Sequence, residues 1–395
     1  MTTNYDAIVV GARCAGSPTA MLLARAGHRV LLLDRAAFPS DTASTHLVHA
    51  PGVAALDRWG LLDAVAGSGC PPIDRYSFDF GPFTISGEPG TAYSPRRSVL
   101  DAILVDAAVA AGAELRERFS VDGLVVEDGV VVGVRGRDAD GRIVTERATV
   151  VVGADGWHSR VADEVGATTY REQPMLQWSA YSYWRDLPVD GFETFIRPDR
   201  GWAAMGTNDG LTMLVVGWPM AEVKAFKADV EGNYRATLEL VPAFAERVRR
   251  ATRVERFGGG SVPNFFRQQH GPGWVLVGDA GYTRDSITGQ GISDAFADAE
   301  RVAGALDGAL RGRCALAEAM TEQQRRRDES LAPMFEFTTQ LARLEPPPPD
   351  LAGLLGAVSA SAPAMHAFTS MAAGVLSPAR FFDPAHLGPL LAAAA

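Results

Sequence analysis

The chain has 395 residues, 47% hydrophobic and 21% charged, with 41 Gly and 24 Pro; at roughly 150 residues per domain it holds two or three packed units, and this composition excludes a disordered or collagen-like chain. Lys and Arg number 37 against 47 Asp and Glu, a net charge of -10 without a basic stripe, which argues against a nucleic-acid partner. No apolar run approaches the roughly 18 residues that cross a bilayer, and Cys14, Cys70 and Cys314 are too scattered for a disulfide framework or a zinc site, so the expectation is a cytoplasmic protein with no membrane span and no metal.

Along the chain, Tyr5 to Arg35 (YDAIVVGARCAGSPTAMLLARAGHRVLLLDR) parses as a buried strand, a Gly-containing turn, an Ala/Leu-rich helix, a stop at Gly27 and a second strand ending in Asp34. In this βαβ unit Gly11 supplies the turn, Gly16 lets helix and strand approach, and the helix N-terminus offers N–H groups to a diphosphate. The glycine pattern is imperfect, because Arg13 stands where a second Gly is usual; its guanidinium could fold over the diphosphate. Residues 73 to 95 and 166 to 265 alternate and are rich in aromatics, which fits a sheet whose one face roofs a ligand. Trp178, Tyr181, Tyr183, Trp184, Trp202, Met205, Met213 and Trp218 are the candidates for an apolar pocket. Leu124 to Val152 reads as an antiparallel meander with turns at Asp128-Gly129 and Asp140-Gly141.

Val150 to Ala162 (VVVGADGWHSRVA) and Trp274 to Ala299 (WVLVGDAGYTRDSITGQGISDAFADA) each run from a strand into an acid, Asp155 and Asp279, and then into a helix. With Asp34 they place three acids at strand carboxyl ends, where open α/β sheets bind ligands, and suggest one extended ligand across all three. Past residue 314, Arg325 to Arg327 reads as a solvated helix face, EPPPPD at Glu345 to Asp350 as an extended linker, and the Ala-rich remainder as a helical cap.

In this ordered set of motifs the chain resembles the FAD-dependent oxidoreductases of the p-hydroxybenzoate hydroxylase type and, more distantly, geranylgeranyl-reductase-like enzymes, over about residues 5 to 330. The resemblance implies an α/β fold: a discontinuous Rossmann-like FAD-binding domain (1–72, 96–165, 266–330), an inserted antiparallel β-sheet substrate domain (73–95, 166–265) and a helical C-terminal region (331–395). It implies that Gly11, Arg13, Ala15 and Gly16 cradle the diphosphate, and that Asp34 and Arg35 hold the adenosine end. Arg97 begins a helix beside the cofactor, Val121 meets adenine, Asp155 serves both FAD and nicotinamide, and Gly278 and Asp279 meet the ribityl chain. An ionised acid is a suitable acceptor for a row of hydroxyls. The helix opened by Gly289, Gln290 and Gly291 aims its positive end at the flavin edge where negative charge gathers on reduction.

The family's loop after Gly-Asp usually carries His and then Pro; here Tyr282 and Ser286 stand there, and Ser293 replaces a common Asn. Losing the rigid proline ring puts hydroxylation itself in question. Tyr282, Arg284 and Asp285 make a polar cluster suited to orienting a substrate hydroxyl or to a solvated turn, and His46 or His49 could serve as a base on a phenol or as a structural hydrogen-bonding group. No Trp-x-Trp-x-Ile-Pro signature of flavin halogenases is present. The leading expectation is a monooxygenase in which NADPH or NADH reduces FAD, O2 adds as a flavin C4a-hydroperoxide, and oxygen passes to an electron-rich organic substrate. The alternatives are a reductase of alkenes or prenyl chains, and a non-redox FAD scaffold or cyclase. The expected assembly is a monomer or homodimer.

Overall fold

The computed structural model describes residues 4–392. β1 (Asn4–Val10), α1 (Gly16–Arg25) and β2 (Val30–Leu33) open the chain. Ala7, Val9 and Leu32 face a helical layer, whereas Ile8, Val10, Leu31 and Leu33 face a second apolar cluster containing Phe119, Val131 and Val134. Strands covered on both faces must be apolar at successive positions, which is why these segments read as continuous runs. There follow β3 (Tyr76–Asp79), β4 (Thr84–Gly87), α2 (Arg97–Ala110), β5 (Glu114–Arg116) and the meander β6 (Ser120–Glu127), β7 (Val130–Arg137) and β8 (Ile143–Gly153).

The aromatic-rich insert supplies β9 (Gln177–Arg185), β10 (Phe192–Arg197), β11 (Arg200–Gly206), β12 (Leu211–Pro219) and helices α3 (Val223–Ala228), α4 (Val230–Leu238) and α5 (Pro242–Arg250). The chain then returns through β13 (Trp274–Leu276) and α6 (Gly291–Leu310) and ends in α7 (Leu316–Leu341), α8 (Pro349–Ser359), α9 (Ala362–Ala372), α10 (Pro378–Phe381) and α11 (Pro384–Ala392).

In the first sheet the parallel order is β13-β8-β1-β2-β5. Because β2 lies on one side of β1 and β8 on the other, a crevice opens at the carboxyl end of β1, the topological switch point of such a sheet. The second sheet runs β9-β12-β11-β10-β3-β4. It is antiparallel except that β10 pairs with β3 in parallel; β3 comes from a distant part of the chain, so no hairpin imposes the antiparallel direction.

Strict alternation in this sheet sorts the aromatics. Trp178, Trp184, Trp202 and Trp218 pack against Phe226, Tyr234 and Phe244 of α3–α5, while Tyr181, Tyr183, Met205 and Met213 take the opposite face. The three helices were not expected in this insert.

Two further readings need correction. Arg327, expected on a solvated face, is fully buried: it donates to the carbonyls of Gly281 (3.1 Å) and Arg267 (3.0 Å) and to the Tyr170 hydroxyl (3.0 Å), and it pairs with Asp328. An Arg run on a helix spans all sides of it, so one member must face inward where α7 packs on the core. The Pro-rich linker is also shorter than read, because α8 already begins at Pro349, and proline suits the first helical turn. Residue 330, read as the end of the FAD-binding domain, falls inside α7. Helices α8–α11 pack on β4 through a cluster that includes Phe78, Phe83, Phe368 and Phe381. Among the described residues no single helix is long and apolar enough to cross a membrane; the apolar pair α8 and α9 is bent by 116°.

Candidate functional site

The turn after β1 depends on its glycines. Gly11 has φ +102°, and a Cβ there would stand 2.4 Å from the Ala154 carbonyl oxygen; a Cβ on Gly16 would stand 1.7 Å from the oxygen of Gly11. Only backbone fits at either point. No side chain caps the start of α1 at Ala15; the Ser17 N–H is taken by the Arg13 carbonyl (3.0 Å), while the Gly16 N–H and the positive dipole end stay open to a ligand. Asp34, at the end of β2, accepts the Ala12 N–H on Oδ2 (2.7 Å) and the Ala36 N–H on Oδ1 (2.8 Å) and thereby fixes this loop.

Arg13 does not hang free over the loop. It pairs with Asp101 (2.6 Å) and donates to Ser40 Oγ (3.0 Å). Asp101, fully buried, also takes two bonds from Arg97 (3.0 Å each); burial disfavours the Arg97 charge, but Cys14 and the ion pair with Asp101 outweigh it and keep Arg97 protonated. Two guanidiniums against one carboxylate leave a positive charge on this wall, which suits a diphosphate. Asp101 was missed in the sequence, although its spacing four residues after Arg97 marks a helical ion pair.

One cavity of about 940 Å³ joins these elements. Gly11, Arg13, Ala15, Asp34, Arg35, Arg97, Val121, Asp155, Gly278, Asp279, Gly289 and Gly291 all line it, and so do Tyr282 and Asp285. At the far end it is roofed by Ser179, Tyr181, Met213 and Val215 of the second sheet. Gly16, Gln290 and His46 are not in its wall: Gly16 packs against Gly11, and the other two turn elsewhere.

The three acids differ in what they have free. Asp155 accepts from the Ser159 hydroxyl (2.6 Å) and from the N–H groups of Arg160 (2.7 Å) and Val161 (3.2 Å), so it caps the short helix that follows. Asp279 has no hydrogen-bond partner among the described residues and opens into the cavity. Desolvation, opposed by Arg97 and aided by the charge of Asp294, pushes its carboxyl up to about 6. Asp279 is exposed on the cavity wall, so its oxygens are free to accept from the hydroxyl groups of a ligand there. Beyond it, Gly289 has φ +65°, no side chain caps α6, and a Cβ at Gly291 would meet nothing within 4 Å, so backbone N–H groups face open space.

The candidate catalytic groups are placed unequally. The Tyr282 ring packs between Phe266 and Phe335, and its buried hydroxyl has no partner among the described residues. Asp285 caps the turn Ser286–Thr288 and accepts from the Gln177 amide, while its N–H donates to Asn264 Oδ1 (2.7 Å); burial pushes its carboxyl up to about 6. His46 is fully buried with φ +61° and bonds the Tyr183 hydroxyl; burial, then the charge of Arg97, pushes it down to about 3. Unlike Ser44 and Thr45 before it, His46 does not line the cavity, which corrects its reading as a base there: the chain turns at this left-handed residue and its ring is buried against Tyr183. His49 bonds Tyr76 (2.7 Å) through Nδ1 and the Thr288 carbonyl (3.0 Å) through Nε2. A carbonyl only accepts, so Nε2 carries the proton and Nδ1 accepts from Tyr76.

Another cluster escaped sequence reading. Arg96 lies over the Tyr183 ring (4.0 Å) and bridges Asp41 (3.0 Å) to Glu255 (2.8 Å), so it ties the loop along the first sheet to the second. No local signal links residues so far apart.

Comparison with known proteins agrees with this geometry. The family described as FAD binding domain matches residues 4–331. Among curated relatives, Protein FixC of Salmonella typhimurium is 37% identical over 42% of this chain and 39% of its own, so the match spans about two fifths of that protein's length. Digeranylgeranylglycerophospholipid reductase of Methanocella arvoryzae is 28% identical over 77% of each chain. The 6-methylpretetramide 4-monooxygenase of Streptomyces rimosus is 29% identical over 75% of this chain and 73% of its own. Among solved structures, the myxobacterial chondrochloren halogenase CndH superposes with TM-score 0.80 at 23% identity, covering 98% of this chain and 93% of that one, a likeness of fold. The open helix starts of α1 and α6, Asp279 with no protein donor among the described residues, and the glycine cradle all fit FAD, and the chain belongs to the FAD-binding-domain family.

Proposed function

We propose that this protein is a monooxygenase that takes NADPH or NADH and O2 and hydroxylates or epoxidises an electron-rich organic substrate, aromatic or polycyclic. The observation that carries this reading is the continuity of one cavity from the Gly11 turn, past Asp279, to the Tyr181, Met213 and Val215 roof. FAD bound there supplies hydride acceptance and oxygen activation, which leaves binding, orientation and water exclusion to the chain.

In this reading the Gly11-to-Gly16 turn and the open start of α1 receive the diphosphate, with the excess charge of Arg13 and Arg97 facing it. Asp34 and Arg35 take the adenosine end, Val121 the adenine, and Asp279 accepts from the ribityl hydroxyls. Gly289 and Gly291 admit the ring, and the dipole of α6 favours negative charge on it. Tyr181 and Met213 present an apolar face to the substrate. Tyr282 lines the cavity with its hydroxyl buried, so it orients a substrate oxygen only if the side chain turns toward the cavity; Asp285 holds the loop to β9 through Gln177. The division into an FAD-binding domain (1–72, 96–165, 266–330), a substrate domain (73–95, 166–265) and a C-terminal region belongs to the same proposal, as do a cytoplasmic location and a monomeric or homodimeric state. The Streptomyces rimosus relative, a monooxygenase by name, supports the reading.

The reductase relatives and the missing proline at Ser286 favour a second reading, in which an alkene of a prenyl chain is reduced. The test is to reduce the FAD-loaded protein with NADPH, admit labelled O2 and analyse a panel of phenols, polycyclic aromatics and alkenes. One labelled oxygen in a product supports the proposal; peroxide as the sole fate of O2 across the panel, or a hydrogenated alkene formed without O2, refutes it.

A further inference from the structure

The family match ends at residue 331, yet the loop that would face the flavin ring is tied down from beyond that point. Gln290 sits between Gly289 and Gly291, the most freely rotating stretch of the loop. Only 4% exposed, its side chain turns away from the cavity and donates from Nε2 to the Ala372 carbonyl at 2.7 Å. That carbonyl lies at the end of α9, where helical partners run out. Gly374, with φ +73°, leaves room for the amide: a Cβ there would stand 2.7 Å from Gln290 Oε1. Ala373 is fully buried in the cluster with Leu47, Tyr76 and Met213 behind the cavity roof. From α7, Thr338 Oγ1 meets Thr288 Oγ1 at 3.1 Å.

We propose that Gln290 is a positioning residue and that the C-terminal helices, through Ala372–Gly374, set the pose of the Gly289–Gly291 backbone against the flavin ring. This rests on the FAD reading of the cavity. Two flanking glycines give the loop the backbone freedom that a close approach requires, and the Gln290 bond removes the excess of that freedom. Ala372–Gly374 do not line the cavity themselves; among the described contacts they reach it through Gln290 and through the cluster with Met213, both at the ring end, so the effect is expected there.

The test compares FAD with ADP, which carries the nucleotide half but no flavin. Gln290→Met keeps length and loses the donor; Gly374→Ala pushes on the same amide from the other side. Each variant is expected to weaken FAD binding about tenfold, the loss of one buried hydrogen bond with a stranded carbonyl, while ADP binding stays within about twofold of the parent. The ADP arm also reports that the variant has folded. Unchanged FAD affinity in both variants, or an equal loss of FAD and ADP, overturns the proposal. A parent protein that binds ADP but not FAD refutes the cofactor reading instead.

Discussion

Asp279→Asn separates what the acid does for the ligand from what it does to the fold. The carboxylate has no protein donor among the described residues, and desolvation disfavours its ionised form; the step from the ordinary 3.8 to about 6 would correspond to about 3 kcal/mol in a dry site. The carboxylate faces an open cavity, so solvent screening reduces this to about 1 kcal/mol. A raised acid pKa means the folded state binds the proton more tightly, so stability is lost as pH rises from about 4 to about 6 and the deficit stays constant above that. The amide carries no such deficit. Asp279→Asn is therefore expected to be about 1 kcal/mol more stable than the parent at pH 8 without FAD, and equal to it at pH 4. It should also bind FAD about tenfold more weakly, about 1.4 kcal/mol, because a neutral acceptor replaces a charged one. Denaturant titration of the apoprotein at the two pH values, with FAD titration followed by flavin fluorescence, measures both effects. A variant that is less stable at pH 8 while binding FAD as the parent does would refute the reasoning at both points.

Arg327→Met should destabilise the protein by about 3–5 kcal/mol, since it strands the carbonyls of Gly281 and Arg267 in the core; a denaturant midpoint corresponding to less than about 1 kcal/mol would show that this interior admits water. His49, held near 4 by burial, is neutral when folded and protonates more readily when unfolded, so its contribution to stability falls as pH drops below about 6.5. The stability advantage of the parent over His49→Asn is expected to shrink by about 1.4 kcal/mol per pH unit between pH 6.5 and 4.5, and parallel curves across that range would contradict the assignment. Tyr181→Ala should alter substrate KM or product yield at little cost in stability, whereas Trp184→Ala, facing α3–α5, should lose about 3–5 kcal/mol with turnover per folded molecule unchanged; the reverse pattern, read by thermal melts and steady-state kinetics, would invert the assigned faces.

The candidate site was readable where chemistry is local. Gly16 is required by its approach to Gly11 within one βαβ unit, Gly11 by the left-handed turn after β1, and Asp279 is marked by its place at a strand end, so each is visible in a short window, whereas the approach of Ala154 to Gly11 is not. Arg13 shows where that stops. Its residue type suited a diphosphate, but its first partners, Asp101 and Ser40, come from a helix and a loop elsewhere in the chain. His46 had the right chemistry in the right segment, and a turn of the backbone took it out of the cavity.

Alternation and apolar runs alone determined that this chain forms a nucleotide-binding sheet with an aromatic-rich insert, because side-chain direction in a strand follows from position parity and the ligand-receiving turns follow from glycine and helix-start geometry. Which parity faces the ligand, that Arg327 lies in the interior, and that Gln290 answers to a helix end more than 80 residues away were decided by tertiary packing. Each of these depends on which surface covers a given face, and two sequence-distant surfaces meet only after the chain has folded.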